Sequence, residues 1–165
     1  MVLRIPDQHK NGFTLIELLI VMVLLLILVG VSIVLFKPAD RRRQARDVAR
    51  LTDITSLDRA INEYRIDKGD YPDNVGIERR STSLPLGNTG PTVVCSDGWI
   101  DANLCEYISK LYVDPENDAT YYYSYISTGT SYELNVTLEA EIDKMTTDGG
   151  NSDTKYELGN NKLLL

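Results

Sequence analysis

The most constraining feature of the sequence is an apolar run over residues 12–36, which contains one acidic residue, no basic residue and no proline. As an α-helix rising about 1.5 Å per residue, the part that begins at Phe13 would reach roughly 36 Å. That length crosses a hydrocarbon core of about 30 Å with some tilt. The run therefore predicts a single membrane-spanning helix over residues 13–36.

The one acid in this run, Glu17, is not explained by a plain membrane anchor. Insertion of an ionisable side chain costs about 2.5–3.5 kcal/mol at mid-membrane, and less near the interface. Such residues usually have a partner, and no residue in the run is basic. We therefore expect a partner for Glu17 from outside the segment.

The motif Gly12-Phe13-Thr14-Leu15-Ile16-Glu17, followed by the aliphatic run, resembles the processing motif of type IV prepilins and type II secretion pseudopilins. The resemblance implies a leader over residues 1–12, cut between Gly12 and Phe13 by a membrane prepilin peptidase, and N-methylation of Phe13. It also implies that the new α-amine of Phe13 pairs with Glu17 of a neighbouring subunit. The alternative of a signal peptide is disfavoured, because the apolar region of a signal peptide has only about 7–15 residues and the run here is longer.

Charge is distributed unevenly beyond the span. Residues 37–50 carry six Lys or Arg and two Asp, whereas residues 51–165 carry nine basic and twenty acidic residues. An acidic domain argues against nucleic-acid binding by the monomer. Six basic residues after the span and two before it oppose the positive-inside rule. Because cleavage at Gly12 requires a cytoplasmic leader, we follow the resemblance and predict an extracytoplasmic head over residues 69–165.

The residue inventory argues against the common catalytic sites. The only histidine is His9, which lies in the predicted leader. The mature chain would therefore lack the imidazole of a Ser-His-Asp or Cys-His arrangement or of a histidine zinc site. Two cysteines cannot form a Cys₄ site. We predict a protein that is not an enzyme.

Residues 37–68 predict an amphipathic helical stem. Apolar residues recur there at spacings of three and four, which favours burial of one helix face; they are Val48, Leu51, Ile54, Leu57, Ile61 and Tyr64. The acids of the stem occupy other positions and are expected to face water or neighbours; they are Asp47, Asp53, Asp58 and Glu63. Pro38 is a candidate kink. Gly69 predicts the helix end, and the following Tyr71-Pro72 pair resembles the helix exit of pseudopilins.

The last third of the chain is β-like. Residues 120–126 and 132–138 alternate around a turn at 127–130, which predicts a hairpin with one buried and one solvated face. A third strand is predicted near residues 155–158. The buried face is expected to pack on the stem, giving an α+β fold in which a long N-terminal helix covers a small antiparallel sheet, as in pilins. Residues 73–102 predict a long loop, and Asn103 the start of a short helix through Leu111.

Two further features of the head leave alternatives open. In an oxidising exterior Cys95 and Cys105, ten residues apart, are predicted to form a disulfide; two free thiols are the alternative in a reducing environment. Two oxygen-rich loops either bind calcium or form solvated turns; the candidate ligands are Asp114, Asn117, Asp118, Asp148 and Asp153. Apart from this possible calcium ion, no cofactor is predicted.

Together these features predict a structural subunit of a type IV pilus, stored in the cytoplasmic membrane and then polymerised with itself into a surface filament. The resemblance implies an assembly platform and an ATPase as further partners. The basic residues 41–50 are expected to attract acidic heads of adjacent subunits. The alternatives are a type II secretion pseudopilin and a membrane-anchored extracellular binding domain.

Overall fold

A computed structural model of the chain describes residues 12–73, 76–82 and 94–165, and within 34–36 it describes the backbone alone. The structure divides into two compact units, Met1–Arg41 and Arg42–Leu165. Residues 1–11 of the predicted leader and the middle of the predicted 73–102 loop lie outside the described residues.

The first unit contains helix α1, Leu15–Phe36. Among the described residues, one helical stretch is long and apolar enough to cross a membrane, and it begins with α1. This judgement uses length and composition alone. Lys37 follows in the left-handed conformation with a φ of 40°, and Pro38 begins helix α2, Pro38–Lys68. Proline suits this first position because it has no N–H to leave unpaired. The structure therefore interrupts the helix at Lys37, next to the predicted kink.

In the second unit, α2 packs one face on the sheet through the buried side chains of Ile54, Leu57, Ala60 and Ile61. The helix ends at Lys68, before Gly69, as predicted. Two predictions for the N-terminal half of the stem are wrong. Val48 is 63% exposed, and Asp47 is completely buried. The buried stripe there is interrupted because Asp47 and Arg50 take core positions as an ion pair.

The sheet has four antiparallel strands in the order β1-β2-β3-β4. Their bounds are β1 Arg79–Arg80, β2 Tyr123–Ser127, β3 Tyr132–Val136 and β4 Tyr156–Gly159, with helix α3, Ile142–Thr147, before β4. The predicted hairpin and the third strand are confirmed, with Tyr123 opposite Val136 and Ser127 opposite Tyr132. The two-residue β1 falls in the predicted loop, and α3 was not predicted. Both are too short for a periodic signal.

The helix predicted over residues 103–111 is absent. These residues are described by the structure and form turns and irregular backbone. The Asn103 side chain instead accepts a hydrogen bond from the Cys105 N–H at 3.1 Å. Leu104, Ile108 and Leu111 are nevertheless buried, as their spacing predicted. Cys95 and Cys105 form a disulfide with a Cα–Cα distance of 4.8 Å. This bond closes the segment between residues 95 and 105.

The sheet face away from α2 is also covered, although strand alternation predicted a solvated face. Glu133 on β3 and Glu157 on β4 are fully buried there. The N–H groups of Leu164 and Leu165 donate to the Glu133 carboxylate at 2.6 and 3.0 Å, and Ser152 N–H donates to Glu157 at 3.0 Å. The segments before and after β4 therefore cover this face, and burial raises the pKa of Glu157.

Candidate assembly site

The predicted cleavage point lies immediately before the first turn of α1. Gly12 and Phe13 precede the helix, and the Phe13 side chain is 83% exposed. Thr14 is the N-cap residue with extended backbone angles, φ −82° and ψ 152°. The predicted cleavage point therefore lies in non-helical backbone.

Glu17 has a partner within its own helix, in contrast to the expectation that only another chain supplies one. Thr14 N–H and hydroxyl donate to the Glu17 carboxylate at 3.4 and 3.3 Å, and Glu17 N–H donates to the Thr14 hydroxyl at 3.3 Å. This is a capping box, and its Thr-x-x-Glu signature is visible in the sequence. Its bonds are long, and their donors are uncharged.

From Leu15 to Ile33, α1 exposes a mostly apolar surface. Its large apolar residues in this range are 47–88% exposed. Such aliphatic groups can pack in lipid or against other helices.

The basic residues after the span differ in their surroundings. Arg50 is fully buried, and its guanidinium binds both oxygens of Asp114 at 2.6 and 3.1 Å. It also contacts Asp47 at 3.0 Å and Glu139 at 2.6 Å. Arg46 binds the same Glu139 carboxylate. These two arginines therefore bind acids of their own chain, which departs from the expected attraction to adjacent heads.

This buried ion-pair network joins the stem to the loop after β3. The Asp47 carboxylate accepts hydrogen bonds from the backbone N–H groups of Glu139, Ala140 and Glu141, at 2.7–3.1 Å. Hydrogen bonds from Arg46 and then Arg50 lower the pKa of Glu139 to about 2. No local sequence pattern indicates this network, because Arg46 and Arg50 lie 64–93 residues from Asp114 and Glu139 along the chain.

The candidate calcium ligands already have partners in the protein. Asp114 binds Arg50, Asn117 contacts Ser81 at 2.6 Å, and Asp118 accepts two backbone N–H bonds at 2.8 Å. Asp148 likewise accepts backbone N–H bonds from Gly150 and Glu157. No hydrogen bond joins the two loops within the described part of the chain, where no group of three or more His, Cys, Asp or Glu could hold a metal ion. Calcium binding, with the exposed Asp153 as one of its ligands, stays a prediction.

Comparison with known proteins adds to this geometry. Residues 7–33 match the family model of the prokaryotic N-terminal methylation motif. The chain has a prepilin-type N-terminus. It is also 29% identical over 155 residues to the type II secretion system core protein G of Pseudomonas aeruginosa, an alignment that covers 93% of this chain and 96% of that protein. No solved structure matches the chain.

The motif, the fold and this similarity agree on a pilin-like or pseudopilin-like chain whose apolar helix indicates membrane anchoring. They do not favour the pilus prediction over its alternative. The similar protein belongs by its name to a type II secretion system, so the pseudopilin alternative is the better supported of the two.

Proposed function

We propose that the chain is a pseudopilin, a structural subunit of a type II secretion filament. The observation that supports this proposal is the similarity to core protein G over nearly the whole of both chains, head as well as N-terminal motif. The subunit is cut between Gly12 and Phe13 and methylated on Phe13 by a prepilin peptidase. Its role is structural rather than enzymatic.

Assembly exchanges the lipid around α1 for neighbouring copies of α1. For the exposed apolar side chains this exchange changes the free energy little, because lipid tails are as apolar as leucine. The specific contribution comes from Glu17. Its long bonds to uncharged Thr14 donors give way to the Phe13 ammonium of a neighbour, and hydrogen bonds between charged groups are about twice as strong as neutral ones. An assembly platform and its ATPase are the proposed partners that drive extraction.

Intact-mass measurement of the protein extracted from membranes tests the processing step. We expect a mature chain that begins at Phe13 and carries one added methyl group. A chain that still begins at Met1 would contradict processing and favour the alternative of an anchored extracellular binding domain.

The type IV pilus is the second candidate, and it shares the motif matched at residues 7–33. Deletion of the gene separates the two candidates. Loss of secreted proteins from the medium without loss of surface fibres supports the pseudopilin. Loss of long surface fibres with normal secretion supports the pilus.

A further inference from the structure

The basic residues after the span fall into two groups. Arg46 and Arg50 bind acids of the same chain. The four cations nearer to α1, which we call the proximal basic segment, are exposed; they are Lys37, Arg41, Arg42 and Arg43. Their side chains make no hydrogen bond or ion pair to any residue in the described part of the chain. With Asp40 as its one acid, residues 37–43 carry a net charge of +3.

The acids closest to this end of the second unit are already engaged. Asp114 and Asp47 bind Arg50, and Glu139 binds both Arg50 and Arg46. Glu116 lies 3.5 Å from Arg46. The proximal basic segment therefore has no acidic partner within the described part of the chain, and its side chains are open to anions outside the chain.

The position of the segment along the chain indicates which anion it meets. Residues 13–36 would span roughly 36 Å as a helix, slightly more than a hydrocarbon core of about 30 Å. The polar headgroups add roughly 5–8 Å on each side of that core. Lys37 follows α1 directly, and Arg43 is only seven residues beyond Phe36. Lys37 falls at the depth of the lipid phosphates, and the long flexible side chains of Arg41, Arg42 and Arg43 can reach back to that depth.

We propose that the proximal basic segment binds the phosphate groups of anionic phospholipids in the leaflet from which the head emerges. Guanidinium groups suit this role because they bind phosphate oxygens in pairs. Clusters of cations beside a span are attracted to an anionic membrane surface. The inference rests on the proposed function, because it requires α1 to lie in a membrane. It adds that extraction into a filament must break these lipid contacts.

Lipid selectivity of the full chain in vesicles tests this proposal. The chain is reconstituted in phosphatidylcholine vesicles that contain a trace of spin-labelled phosphatidylglycerol or spin-labelled phosphatidylcholine. Electron paramagnetic resonance then measures the fraction of each label immobilised by the protein. We expect the wild type to favour the anionic label roughly threefold or more at low salt, and the Arg41→Gln/Arg42→Gln/Arg43→Gln variant to lose most of this preference.

A matched variant removes three exposed cations that lie outside the proximal basic segment: Arg59→Gln, Lys110→Gln and Lys144→Gln. It should keep the wild-type preference. An unchanged preference in the Arg41–Arg43 variant would overturn the lipid assignment; if filament yield fell as well, the segment would be assigned to acidic heads of neighbouring subunits. Failure of the proposed function is distinguishable, because a chain without α1 in the bilayer immobilises neither label.

Discussion

The two units of the molecule treat their charged and apolar side chains in opposite ways. In the first unit the large apolar side chains of α1 are exposed. The one acid of α1, Glu17, has only the neutral donors of Thr14. In the second unit apolar residues form a closed core, and Arg50, Asp47 and Asp114 are buried as satisfied ion pairs. The difference teaches that the buried charges of Arg50, Asp47 and Asp114 have partners within the second unit, whereas the apolar surface of α1 has none among the described residues.

The largest expected effect follows from this difference at Glu17. Replacement by alanine removes the proposed acceptor for the neighbouring Phe13 ammonium, so filament formation should be lost while membrane insertion remains. Filament yield by electron microscopy and chain content of the membrane fraction measure the two effects. The Glu63→Ala variant, which removes an exposed acid from α2, is the control and should assemble normally. Normal filament abundance in Glu17→Ala would contradict the pairing.

The second prediction concerns the stability of the second unit. Arg50→Met leaves the carboxylates of Asp114 and Asp47 buried without their counter-charge, and the loss of one partner from a buried ion pair costs about 3–5 kcal/mol. Urea unfolding followed by the fluorescence of Trp99, the only tryptophan, measures the free energy of unfolding. Arg43→Met removes an exposed arginine and should change it by less than about 0.5 kcal/mol. Equal effects of the two variants would show that the network does not stabilise the fold.

The sequence predicted the parts of the fold that depend on local pattern. The apolar length predicted α1, Gly69 marked the end of α2, and alternation around the turn at 127–130 predicted the hairpin. The pilin-like architecture followed from packing the one apolar helix face on the one apolar sheet face.

Features that depend on distant partners were not predictable in this way. Asp47 and Arg50 have residue types typical of a surface, and only Asp114 and Glu139, which come from the head, allow their burial. Glu133 likewise occupies a position that alternation assigns to solvent, but the backbone N–H groups near the C-terminus cover it. At the candidate assembly site, the capping box of Thr14 and Glu17 had a readable signature, whereas the pairing of Glu17 with a neighbouring Phe13 was implied by the family resemblance alone.

The third prediction concerns the disulfide of the second unit. Replacing both Cys95 and Cys105 by alanine removes a bond that closes a ten-residue separation, which should lower the free energy of unfolding by about 2–3 kcal/mol. Urea unfolding with and without reductant measures this effect. Reductant should destabilise the wild type by a similar amount and leave the double variant unchanged. A wild type insensitive to reductant would mean that this bond does not contribute to stability.

The smallest expected effect is a pH dependence of the same unit. Hydrogen bonds from Arg46 and Arg50 lower the pKa of Glu139 to about 2 in the folded chain, whereas an unfolded glutamate titrates near 4.5. The folded state therefore binds fewer protons between these values, so the stabilisation is complete above about pH 4.5 and is lost as the pH falls toward 2. After allowance for solvent screening we expect about 1–2 kcal/mol.

The pH dependence is measured as the free energy of unfolding at pH 6 and at pH 3, in the wild type and in Glu139→Gln. The glutamine keeps an oxygen acceptor for the arginines but does not titrate, so the difference between the two proteins should shrink as the pH falls. A difference that stays constant with pH would show that the Glu139 charge does not stabilise the fold. The intrachain role of Arg46 would then be lost, and that arginine would be available, like Arg41–Arg43, to anions outside the chain.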